Sequence, residues 1–370
     1  TMIHIWRLVM VGCLTLASTF YVSLFAHTSF GSFDDFLLKI DLEEKRALAK
    51  RHLELNFQNN ESEINFVLLP QMLENNCSET KPLGLLVIVL SSADKPEIRQ
   101  AIREAWASPQ ESTAVADGRA RVFFLVGNGY NNSAEIFEEA RKHDDVIIID
   151  ADDTYENLVY KSFAILHLGT DVCPAELISK IDEDTILHID RIFKFSGAPF
   201  NANDSAVYGY MYEKGEVIRR QDNRWFVPEE AFAEDVYPNY CNGPSYLMTA
   251  HAAAQILEDL SPYRLITIED ALITGIIAES HNITRVHLPL HFENNDRRQI
   301  CYGDAEHGRF LLSKHFYKTP KAIKAGWNRM KRECPRPRLP RSVKSGPNNK
   351  PASVIAREAR ERREREEKKN

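Results

Sequence analysis

Between Leu83 and Cys334 short uninterrupted apolar runs alternate with segments of helical period, and this alternation restricts the chain to an α/β fold. Leu85–Leu90, Val122–Val126 and Val146–Ile149 have the composition of strands buried on both faces. Pro96–Ala107, Ala134–Lys142 and Tyr155–Leu168 read as helices. Pro96 is acceptable in a first turn, and Leu158, Val159, Phe163, Ile165 and Leu166 supply a core-facing stripe. The succession predicts a mostly parallel sheet, with ligands bound beyond the carboxyl ends of its strands.

A further strand, Ala175–Asp182, runs directly into Asp182-Glu183-Asp184. Three consecutive carboxylates are electrostatically expensive without a cation, and hard oxygen ligands suit Mg2+ or Mn2+, which neutralise a diphosphate. An exposed acidic turn is the plain alternative. Arg99 and Arg103 lie four residues apart, on one helix face beside the first strand. They could hold a diphosphate with their planar forks, or pair with Glu97 and Glu104. Glu269-Asp270 opens the apolar run RLITIEDALITGII, either as a helix cap or as a general base.

The rest of the chain surrounds this domain with segments of different character. Leu8–Phe25 has 18 residues without a charge, preceded by Arg7. Such a span covers about 27 Å of helix, enough for a bilayer core. The expectation is a cytoplasmic tail over 1–7, a signal anchor over 8–25 and a lumenal remainder; a cleaved signal peptide lacks a convincing small-x-small site. Residues 26–80 read as a stem, with Phe36–Phe57 as an amphipathic helix, and 81–334 as the catalytic domain. Sequons at Asn60, Asn76, Asn131, Asn203 and Asn282 fit a lumenal location.

Cys77, Cys173, Cys241, Cys301 and Cys334 follow the anchor, and Cys173 is expected to pair with Cys241 or Cys301. Residues 335–370 carry a net charge of +7 (12 basic, 5 acidic) and read as a disordered tail. The whole chain has a formal charge of -7, leaving -14 for residues 1–334, which excludes a general nucleic-acid binder.

Taken together, five motifs resemble the β-1,3-galactosyltransferase family (glycosyltransferase family 31). In order they are Arg99, Arg103 and Trp106; Asp153, Tyr155, Asn157, Leu158 and Lys161; Lys180, Asp182, Glu183 and Asp184; Tyr237, Pro238, Tyr240, Cys241, Gly243 and Tyr246; and Glu269, Asp270 and Gly275. The resemblance spans nearly all of Leu83–Cys334. It implies a GT-A fold in a single-pass type II Golgi membrane protein. The implied activity is inverting transfer of a hexose, galactose favoured, from a UDP-sugar to an acceptor glycan in a β-1,3 linkage. The same fold with an N-acetylglucosamine or N-acetylgalactosamine donor, or a non-catalytic lumenal member, are the alternatives, and homo-oligomerisation is left open.

The resemblance also implies roles for individual residues. Asp184 is the direct Mn2+ ligand, His315 a third ligand, and Asp182 a neighbour of ribose or of metal-bound water. Asp270 is the general base. Arg99, Arg103 and Lys161 line the UDP side, with Glu183 beside Asp182, and Trp225, Tyr246 and Glu269 lie towards the sugar or acceptor. Glu183, Val159, Pro244, Ser245 and Ala271-Leu272-Ile273 depart from the family pattern, so the acceptor is the property least carried over.

Overall fold

A computed structural model describes residues 51–75, 77, 82–128, 133–194, 200–289, 291–293 and 311–331. The segments expected to be a cytoplasmic tail (1–7), an anchor (8–25) and the stem up to residue 50, together with Asn76, Asn131, Cys301, Cys334 and the expected tail 335–370, lie outside the described residues. No helix among the described residues is long and apolar enough to cross a membrane.

The strands in chain order are β1 (His52–Phe57), β2 (Asn60–Leu68), β3 (Leu83–Leu90), β4 (Ala120–Gly127), β5 (Val146–Ile149) and β6 (Ala175–Asp182). They continue as β7 (Ile186–Leu187), β8 (Ala206–Tyr212), β9 (Tyr240–Thr249), β10 (Thr284–His287), β11 (Phe292–Glu293) and β12 (Ser313–Lys314). Nine form one sheet in the order β1-β2-β5-β4-β3-β6-β9-β8-β10, and β11-β12-β7 form a small second sheet.

The middle of the large sheet follows directly from the sequence. The last six residues of β3 and all four of β5 are buried, as continuous apolar runs require. Alternate β3 residues serve opposite faces. Leu86, Ile88 and Leu90 join a core with the helix Leu158–His167, while Leu85, Val87 and Val89 pack with Ile98, Ile192 and Trp327 on the other side. β5, β4, β3 and β6 are mutually parallel, so their carboxyl ends form one ledge, with Leu90 of β3 level with Asp182 of β6.

Three expectations are corrected here. The sheet is mixed rather than mostly parallel: β2 lies antiparallel to β5, and β9 lies antiparallel to both β6 and β8. Antiparallel neighbours need no helical crossover, and the chain between β8 and β9 contains none. Second, residues 52–68 are a hairpin of the domain, not stem or helix. Leu55, Phe57, Ile64 and Phe66 alternate with exposed residues and cover the Leu158–His167 side of the core. The turn is tied down by Gln58 N–H to Tyr263 O at 2.8 Å and Asn59 Nδ2 to Leu265 O at 3.1 Å.

Third, Cys173 pairs with Cys77, 96 residues away, and Cys241 is buried and free. Cys77 lies just beyond the hairpin, so the bridge staples this N-terminal extension to the turn that leads into β6. Closing so long a loop restricts the unfolded chain, and its reduction is expected to lower unfolding free energy by about 2–5 kcal/mol. Urea titrations with and without reductant measure this; coincident curves would show the bridge to be energetically idle.

Candidate active site

The site lies on the carboxyl-end ledge, where β6 delivers the acidic triplet. Asp182 and Asp184 face a common point and Glu183 turns away. Its carboxylate accepts from the Ser91 hydroxyl at 2.8 Å and the Ser92 N–H at 3.3 Å, and pairs with Lys95. Glu183 therefore braces the loop after β3 and does not join the acidic cluster.

His315 reaches Asp184 through the second sheet. β7 begins two residues after Asp184 and pairs antiparallel with β12, Lys314 opposite Ile186, and Tyr317 N–H donates to Asp184 O at 2.8 Å. This registers His315 beside the triplet, its Nε2 2.7 Å from Asp184 Oδ1. Phe316 stacks on the imidazole at 4.2 Å between centroids and holds φ at 78°, a strained conformation for a bulky residue. Ligand atoms of Asp182, Asp184 and His315 all lie within 4.8 Å of one another. Two carboxylates and one imidazole fit Mn2+ or a similar divalent ion.

The second half of the site is Glu269-Asp270, at the start of the π-helical turn Ala271–Ile277. Asp270 is half-buried and accepts from Gly243 N–H and Ala271 N–H, each at 2.9 Å. Burial, and then the adjacent Glu269 charge, push its carboxyl up to about 7, against the opposing pull of Lys180 and the two amides. A carboxylate poised near neutrality is what a general base requires. Glu269 itself is buried, 3.0 Å from Lys180 Nζ and 3.3 Å from the Tyr246 hydroxyl.

The remaining residues divide between surface and interior. Trp225 is 44% exposed, and its indole N–H donates to Tyr155 OH at 2.8 Å. Arg224 lies over both rings, 4.9 and 4.7 Å from their centroids. The result is an aromatic platform open to solvent. Tyr246, by contrast, is fully buried and supports Glu269 without offering a surface.

Neither arginine has its expected site geometry. Arg99 is fully buried, with Nε 2.9 Å and Nη2 2.6 Å from Glu139, and with further bonds to Ser91 Oγ, Ser92 O and Ala93 O. Arg103 pairs with Asp145 at 2.7 Å and Glu139 at 2.8 Å. Arg99 thus braces the loop after β3 and Arg103 ties its helix to Glu139 and Asp145, in place of the expected diphosphate-binding role. The partners are neither Glu97 nor Glu104. Lys161 is buried too, donating to Ser91 O at 3.1 Å and pairing with Asp153, and burial lowers its pKa despite that carboxylate. Asp153 in turn accepts from Gly127 N–H at 2.7 Å and Ala93 N–H at 2.8 Å. This network ties together the ends of β3 and β4 beneath the ledge.

Arg99→Met would strand Glu139 beside a single remaining cation, so a loss of about 3–5 kcal/mol of stability is expected. Denaturant unfolding checks it; a normally stable variant with weakened nucleotide binding would return Arg99 to the donor side.

Lys180 belongs to the third motif without a role of its own there, although a lysine inside an otherwise apolar strand signals buried partners. It also stands two residues before Asp182, on the same face of β6.

Fold and site define an α/β protein whose strand ledge carries a divalent-metal type of cluster and a separate carboxylate of raised proton affinity. The chain belongs to the galactosyltransferase family, whose pattern residues 97–289 match. It is 34% identical over 242 residues to beta-1,3-galactosyltransferase bre-2 of Caenorhabditis elegans, covering 62% of this chain and 66% of that protein. It is 30% identical over 224 residues to beta-1,3-galactosyltransferase GALT1 of Arabidopsis thaliana, covering 60% and 34% respectively. Against human beta-1,3-galactosyltransferase 5 the figures are 26% over 281 residues, 73% and 86%. The chain thus spans slightly under two thirds of the first relative and about a third of the second.

Proposed function

We propose that this chain is an inverting, UDP-sugar-dependent β-1,3-galactosyltransferase of GT-A fold. The observation that carries this reading is the joint presence, on one ledge, of the Asp182–Asp184–His315 cluster and the half-buried Asp270. Membership of the galactosyltransferase family supplies the sugar. A divalent ion such as Mn2+, held by Asp182, Asp184 and His315, would supply positive charge to the diphosphate of the leaving group.

The chain's own residues do the rest. Asp270, fixed by the Gly243 and Ala271 amides, accepts the proton of an acceptor hydroxyl. The freed oxygen pair forms a bond to the anomeric carbon as the bond to the diphosphate oxygen breaks, and UDP departs with that electron pair. A single displacement inverts the anomeric centre. Trp225 and Tyr155 present ring faces suited to the apolar face of a sugar on the acceptor side.

The acceptor is a glycan of a glycoprotein or glycolipid, and the location proposed is the Golgi membrane. The uncharged span Leu8–Phe25, Arg7 before it, the sequons beyond it and the Cys77–Cys173 bridge all support a lumenal domain behind a type II anchor. Product analysis tests the chemistry: UDP-galactose and a panel of glycan acceptors, with NMR of the product, should give a β-1,3 linkage. An α-linked product would refute the single displacement, and transfer from UDP-N-acetylglucosamine alone would reassign the donor.

A further inference from the structure

The two halves of the site meet at one side chain. Lys180 is 2% exposed, and its ammonium carries three N–H donors. One reaches Asp182 Oδ1 at 2.8 Å, one Glu269 Oε1 at 3.0 Å, and the third the Gly243 carbonyl. All three are therefore spent, one on the metal side and two on the base side. Gly243 is gripped from both ends, since its N–H donates to Asp270 Oδ2 at 2.9 Å. A side chain there would crowd the carboxylates: a Cβ would stand 3.1 Å from Asp270 Oδ2 and 3.3 Å from Glu269 Oε1.

We propose that Lys180 is a positioning residue that locks Asp182, Glu269 and, through Gly243, Asp270 into one rigid unit, so that leaving-group and base sides of the centre stay in register. This rests on the glycosyltransferase reading above. The mechanical route runs through backbone, because Lys180 holds the carbonyl of the same residue whose amide orients the base.

Few groups besides Lys180 and Glu269 can alter Asp270 electrostatically. Tyr240, Cys241 and Tyr246 from β9, and Tyr237 and Tyr155 from the flanking loops, all sense it, and burial raises every one of them. They stay neutral across the working range, leaving Lys180 and Glu269 as the charges that bear on the base.

The test uses the full-length protein with K180M/E269Q, which removes the cation and one of its charges together, and with E269Q alone. Asp270 is followed by its 13C carboxyl resonance, assigned by its loss in D270N, and transfer by UDP release. In a folded K180M/E269Q protein kcat should fall about 100-fold or more with donor KM within about threefold, the mark of a misplaced base. E269Q, which removes a neighbouring negative charge, should lower the Asp270 titration midpoint in the resting protein. A double variant with kcat within about threefold of wild type, or with the loss expressed in donor KM alone, would overturn the proposal. If the double variant does not fold, Lys180→Arg carries the same test, since it keeps the charge but not the three-way ammonium geometry, with the same kcat loss supporting and an unchanged kcat overturning the proposal. A wild-type protein that releases no UDP refutes the glycosyltransferase reading instead. The Lys180 inference then stands if the Asp270 midpoint in K180M/E269Q lies above that in E269Q alone, and falls if the two coincide.

Discussion

Asp270→Asn is expected to reduce kcat by about 100- to 10,000-fold while leaving donor KM and the melting temperature close to wild type. Asparagine preserves the shape and an acceptor oxygen beside the backbone amides but has no basicity to take the acceptor proton. In the wild-type protein the same residue is expected to set the pH profile. Its carboxyl is pushed up to about 7, so it is increasingly protonated as pH falls through neutrality, and the protonated form cannot act as base. Accordingly kcat/KM should decline about tenfold per pH unit below that point and level off above it. E269Q should move the acid limb to lower pH, because Glu269 is the charge that raises Asp270. UDP-release kinetics over pH measure kcat, donor KM and the acid limb, and thermal unfolding measures the melting temperature. An unshifted profile in E269Q, or substantial activity in Asp270→Asn, would move the base to another residue.

The second large effect concerns the cluster at the end of β6. Asp184→Ala should weaken Mn2+ binding by about 100-fold or more, since even removal of an outer-shell partner of a metal ligand costs about 10- to 100-fold. His315→Ala should act in the same direction, and turnover should fall with it. Glu183→Gln is the internal contrast. Glu183 is occupied with Ser91, Ser92 and Lys95, so its replacement should leave Mn2+ affinity within about fivefold of wild type. Mn2+ titration by electron paramagnetic resonance separates the three variants without reference to activity. Equal losses in all three would mean that the triplet binds metal as an undirected acidic patch.

The central sheet was legible because β3 and β5 are buried on both faces, and such strands must be written as continuous apolar runs. The hairpin at 52–68 was not. Its strands have one wet face, so Leu53, Leu55 and Phe57 alternate with Glu54 and Asn56, and charged residues spaced among leucines imitate an amphipathic helix. Reading that segment as stem also hides the disulfide, since it sets Cys77 outside the domain that holds Cys173. The arginines failed differently. Helical spacing put Arg99 and Arg103 on one face, but their partners Glu139 and Asp145 lie about forty residues on and become neighbours only in the folded sheet.

Family resemblance was needed wherever tertiary pairing makes the site. Nothing around His315 marks it as a ligand until β12 pairs with β7 and brings it to Asp184. Lys180 is the converse case, legible but unused: a cation in a buried strand two residues before an acid implies a buried pairing partner, though not Glu269, which is remote in sequence.

The most direct test of the central claim is UDP release from UDP-galactose by the full-length protein with a β-linked acceptor, with Mn2+ and with EDTA. The account predicts turnover that requires the metal, is stimulated by the acceptor and is restored when Mn2+ is added back after chelation. Turnover indifferent to EDTA, or a protein that binds Mn2+ and UDP yet transfers to no acceptor in the panel, would contradict it.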